Sequence, residues 1–156
     1  MDYKKLTTED TIKTIPELIF GNFTDGILPV DMEKLYQRMG ITVTLADRDS
    51  ILDSTTVEIN RNHSARRKRY AMAHMLGHIT LHHPLPIIED ASAYMANNPS
   101  FEEWQANVFA LSLLIPEKTF DMYVRKLGYE DISKIAEICG VGEVAIRAKF
   151  TIDGNI

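Results

Sequence analysis

The chain has 156 residues, 45% hydrophobic and 25% charged, a composition that suits one soluble domain with its own apolar core. A formal net charge of −5 argues against general nucleic-acid affinity, and the single cysteine, Cys139, excludes an internal disulfide and any cysteine-rich zinc module. The most apolar stretch, Val108 to Ile115, is far too short to cross a membrane, and no basic start with an apolar core marks a signal peptide, so a reducing cytoplasm is the expected compartment.

From Met1 to about Phe23 the text is mixed, with Pro16 suited to the first turn of a short helix that carries Leu18, Ile19 and Phe20. Asp31 caps a helix in which Met32, Leu35, Tyr36 and Met39 fall at i, i+3, i+4 and i+7, and Gly40 ends it. The pattern then changes to period two at Ile41 to Leu45, and β-branched residues return at Ile51 and from Thr55 to Ile59. With turns at Asp47-Arg48-Asp49 and Asp53-Ser54, this predicts a small antiparallel sheet of three short strands.

Ser64 opens the next helix, whose first turns hold Arg66-Arg67-Lys68-Arg69. Such a run reads first as a solvated face, although a helix N-terminus prefers acidic groups. The same helix carries His74 and His78 and ends near His82-His83, because Pro84 and Pro86 follow. Residues 84 to 100 read as a loop, with a short helix placed around Tyr94. Ser100-Phe101-Glu102-Glu103 is a capping box for a helix that is apolar nearly all round from Trp104 to Ile115 and stops at Pro116. Helices are then expected over about 117 to 127, 131 to 139 and 143 to 150. Cys139 falls in an apolar helical pattern and reads as a core residue.

The spacing of His74 and His78 carries chemistry. Residues i and i+4 stand on one helix face about 6 Å apart along the axis, so both imidazoles can reach one tetrahedral zinc. The spacing is that of the zinc-peptidase helix His-Glu-x-x-His, but the second position, where that motif has the general base, is Met75. A third donor is needed. His82 lies about 12 Å along the axis from His74, too far for both to bind one ion, and the position six residues after His78, where a metzincin has its third histidine, is Pro84. Glu103 remains, 25 residues after His78 on the second helix, with Asn107 one turn later as a hydrogen-bond partner for a metal histidine.

At this point the chain resembles the ImmA/IrrE-type metallopeptidases. The resemblance runs from Val57-Glu58-Ile59-Asn60 through Ala73-His74-Met75-Leu76-Gly77-His78-Ile79-Thr80-Leu81-His82 to Glu103-x-x-Ala106-Asn107-x-Phe109-Ala110 and Leu113-Leu114-Ile115-Pro116. It covers roughly residues 30 to 150 and implies an α+β, mainly helical metallopeptidase domain spanning 1–156. The metal-site helices would lie at about 64–83 and 100–115, and C-terminal helices at 117–150 would end in a helix-turn-helix-like segment. It further implies Zn2+ held by His74, His78 and Glu103, and a regulatory role, since members of this family cleave helix-turn-helix repressors. Gln105 departs from the family, which often has a second glutamate there.

Met75 is the larger departure: a thioether takes no proton and passes none on. Removing a general acid/base typically costs on the order of 10²–10⁴-fold in rate, or roughly 3 to 5.5 kcal/mol of barrier. The first expectation is therefore a zinc-binding, peptidase-like protein that recognises a protein or peptide partner and hydrolyses poorly. The second is an active zinc endopeptidase, either rescued by another carboxylate, Glu89 or Glu102, neither of which has the fixed helical position of residue 75, or with Met75 standing where the natural protein has another residue. The third is DNA binding through the last two helices. Residues 101 to 156 hold nine Asp/Glu and six Lys/Arg, a net of 6 − 9 = −3, the wrong sign for phosphate.

Overall fold

A computed structural model describes residues 9–89, 99–128 and 131–152. Tyr94 lies outside the described residues. In chain order the elements are α1 (Glu9–Phe23), α2 (Met32–Arg38), β1 (Thr42–Ala46), β2 (Asp49–Asp53), β3 (Thr56–Asn60), α3 (Ala65–Thr80), β4 (Ile87–Glu89), α4 (Phe101–Leu114), α5 (Glu117–Leu127), α6 (Ile132–Cys139) and α7 (Glu143–Ile152). The fold is α+β and mainly helical. No helix of the described residues is long and apolar enough to cross a membrane.

The sheet differs from expectation. It has four strands rather than three, in the order β1-β3-β2-β4, and it is mixed: β1 runs parallel to β3, while β2 is antiparallel to both β3 and β4. β3 slots between its two predecessors, an arrangement that strand propensity cannot distinguish from a simple meander. β3 alternates outward residues with Val57 and Ile59, both fully buried. β4 escapes notice in the sequence because it is three residues long and directly follows Pro86.

α1 is also longer than the sequence suggests, with Pro16 inside it rather than in its first turn. Its buried Ile12 and Ile19, seven residues apart on one face, pack with α4, and that burial outweighs the backbone bond that proline removes. Asp31 caps α2 as expected, its side chain accepting from the Lys34 amide.

α3 and α4 form the centre. Their close approach depends on Gly77, where a Cβ would stand 3.1 Å from the Phe109 side chain. Ser64 caps α3 by accepting from the Arg67 amide. Arg66 and Arg67 are exposed, as expected of a solvated face, but two members of the basic run also make long-range bonds. Arg66 donates to the Val141 carbonyl at 2.9 Å, and Arg69 donates to the Gly140 and Val30 carbonyls. These guanidiniums anchor the start of α3 to the turn between α6 and α7, where Gly140 ends α6 at φ +65°. Cys139 is buried beside it, and burial pushes its thiol up to about 11, so it stays protonated in the core.

Candidate metal centre

His74 and His78 sit on the α4-facing side of α3, one turn apart and almost fully buried. Glu103 is the third residue of α4. Ser100 Oγ accepts from its amide, as in a capping box, but the Glu103 carboxylate turns to the histidines. His74 Nε2 lies 3.0 Å from Glu103 Oε2, His78 Nε2 lies 3.1 Å from Glu103 Oε1, and the two Nε2 atoms are 3.1 Å apart. Tetrahedral zinc with bonds near 2.0–2.1 Å separates its ligands by roughly 3.3 Å, so these atoms stand close to the spacing of one ion.

The surrounding hydrogen bonds decide which atoms carry protons. His74 Nδ1 donates to Asn107 Oδ1 at 2.8 Å, and the same oxygen accepts from the Tyr70 hydroxyl at 3.2 Å. A neutral imidazole with its proton on Nδ1 has a lone pair on Nε2. A longer chain fixes the second histidine. His83 Nε2 donates to Gln105 Oε1 at 2.7 Å, which leaves His83 Nδ1 to accept from His78 Nδ1 at 2.7 Å. Burial holds His83 below the ordinary imidazole range, against the opposing pull of its bond to Gln105, and so favours the neutral ring that this chain requires. His78 Nε2 then also presents a lone pair.

Two lone pairs and a carboxylate therefore meet at one point. Glu103 Oε2 is buried with no hydrogen bond of good geometry among the described residues, although His74 Nε2 is its close neighbour. Acceptors packed this closely need a proton or a cation between them. In the metal-free chain a proton on the facing Nε2 atoms takes the place of the cation: desolvation raises the Glu103 carboxyl, but hydrogen bonds from the His74 and His78 imidazoles in that protonated form outweigh it and hold the carboxyl far below the ordinary carboxylate range. His74, His78 and Glu103 could hold a metal ion, and their protonation pattern fits one.

The family model of the IrrE N-terminal-like domain, Peptidase_M78, matches residues 34–151. The chain belongs to the IrrE N-terminal-like family. The match covers the whole sheet and both helices of the histidine–glutamate cluster, and α1 precedes it. No match is found among curated proteins.

In this member of the IrrE-like family, the residues singled out in the sequence fall in different places. His74, His78 and Glu103 come together, and Asn107 bonds His74. Met75, next to His74 on α3, is fully buried. His83 stood in the sequence only as the end of a helix and Gln105 only as a departure from the family, and neither had a role at the site. His83 returns to the site because His82 adopts a left-handed conformation, φ 58°, after α3 ends, and the His83 amide bonds the His78 carbonyl. Its only sequence signal is a histidine just before the helix-stopping Pro84.

Proposed function

We propose that the protein is a zinc-binding, metallopeptidase-like regulator of the cytoplasm that recognises a protein partner of the helix-turn-helix repressor type and hydrolyses it poorly or not at all. The observation that carries this reading is the pairing of a preorganised three-donor site with a fully buried, apolar Met75 beside it. His74, His78 and Glu103 would hold the zinc. Zinc, when bound, supplies a Lewis acid able to polarise a peptide carbonyl.

The rest depends on the chain's own groups. Asn107 and the His83–Gln105 pair hold the two imidazoles with their lone pairs inward. An extended partner can pair with the sheet through β4, which has a strand on only one side among the described residues and exposes Ile88. Position 75 is where the zinc-peptidase helix has its proton-transfer carboxylate, and a thioether there neither takes a proton from water nor delivers one to a leaving amine. What remains is binding with slow residual hydrolysis. DNA binding gains no support from α7, whose exposed residues include one basic group, Arg147.

The test is metal analysis of the purified chain together with a cleavage assay against candidate repressors. One zinc per chain with turnover at least a hundredfold below that of an efficient peptidase is expected. Rapid turnover at full zinc loading would show the base to be supplied elsewhere, and absence of zinc affinity would remove the site.

A further inference from the structure

Beyond the histidine–glutamate cluster, a groove of about 340 Å³ runs between α4 and α7. Its walls are apolar, formed by Trp104, Leu111, Ala148 and Ile152, and Asn107 borders it. The Asn107 side chain is more than nine-tenths buried, and its Oδ1 is taken by Tyr70 and His74. No hydrogen bond is made by its Nδ2 among the described residues, and Asn107 is one of the residues that line the groove. A buried amide that spends only its oxygen on the protein has two donors left for a ligand. At the rim, Thr151 Oγ1 donates to the Arg147 carbonyl and keeps its lone pairs as acceptors. An apolar cleft of this size with one aimed donor and one rim acceptor matches an amide that carries a hydrophobic body.

We propose that this groove binds a small N-acylated, apolar amino-acid unit, whose carbonyl accepts from Asn107 Nδ2 while its side chain packs against Trp104, Leu111 and Ile152. The groove contains none of the zinc donors, but it adjoins their site through Asn107, whose Oδ1 accepts from His74.

Trp104 is the only tryptophan of the chain, so its fluorescence reports on this groove directly. Titration of the full chain with N-acetyl-leucinamide is expected to give a saturable emission change with a Kd of about 1 mM or tighter, as suits a ligand of this size. N-acetylglycinamide keeps the amide but lacks the side chain and should bind at least tenfold more weakly. In proton–nitrogen spectra of the natural chain, the Asn107 side-chain amide signals should shift with the leucine compound. Ala148→Phe, which fills the groove, should abolish the fluorescence response. A response that never saturates, equal binding of the glycine compound, or Asn107 amide signals unmoved at saturation would overturn the proposal. The spectra use the unaltered chain, so they decide the matter even if Ala148→Phe does not fold.

Discussion

Gln105→Met tests whether the buried chain Gln105–His83–His78 sets the zinc affinity. Gln105 Oε1 accepts from His83 Nε2 at 2.7 Å, and His83 Nδ1 accepts from His78 Nδ1 at 2.7 Å. Methionine fills similar volume but offers no comparable acceptor, so the His83 proton is free to move to Nδ1, where it faces the His78 proton. Relieving that clash moves the His78 proton to Nε2, the atom a metal needs, and zinc must then displace it. Disrupting such an outer hydrogen bond typically weakens metal binding 10- to 100-fold, about 1.4–2.7 kcal/mol. Gln105→Glu keeps an acceptor and should stay within about threefold of the natural chain. His83→Phe combined with Gln105→Met should cost little more than either change alone, since one chain is broken once. Competition titration against a chromophoric chelator at neutral pH measures the natural chain, the three single variants and the double variant. A folded Gln105→Met variant with unchanged zinc affinity would refute the reasoning.

Other predictions follow from the same geometry. Zinc at about a thousand times its Kd should stabilise the fold by about 4 kcal/mol, raising Tm by roughly 8–16 °C, and a chelator or Glu103→Gln should remove that gain in a calorimetric scan. Acidification should destabilise the metal-free chain in two stages. His83 is depressed from 6.5 in the fold, so its contribution is complete above that pH and falls away below it, while Glu103, depressed from 4.5, contributes above that pH and loses its share as the pH falls further. Thermal melts from pH 8 to 3 should show Tm falling across both ranges, and His83→Gln should flatten the upper one. Gly140→Ala should cost about 2–4 kcal/mol, because the residue has φ +65° and a Cβ would stand 2.7 Å from Pro29 and crowd Arg69. Denaturant titration reads that loss, and an unchanged midpoint would dismiss the Arg69 anchor.

Much of the site was legible because it is written in local spacing. His74 and His78 share a face by helical period, Glu103 follows a serine cap at the third position, and Asn107 is one turn beyond it. Helix boundaries read well for the same reason: Asp31, Ser64 and Ser100 are side-chain caps that act on the next few residues. The misreadings involve distant partners. The guanidiniums of Arg66 and Arg69 find carbonyls more than 70 residues away at the α6–α7 turn, which no local pattern of basic residues announces. His83 and Gln105 meet only because a left-handed His82 bends the chain back. The parallel β1–β3 pair likewise depends on which strand slots between neighbours. The capping box shows how one pattern can serve two ends, since Glu103 starts its helix and then gives its carboxylate to the histidines.

Position 75 holds the central claim, and a direct comparison of rates tests it. The natural chain and Met75→Glu, each loaded to one zinc per chain, are assayed with the same internally quenched peptides and candidate repressors. Restoring a carboxylate at this position should raise kcat/KM by at least a hundredfold, within the usual range for a general acid/base group. Equal rates in the two proteins, whether both fast or both at background, would contradict the account.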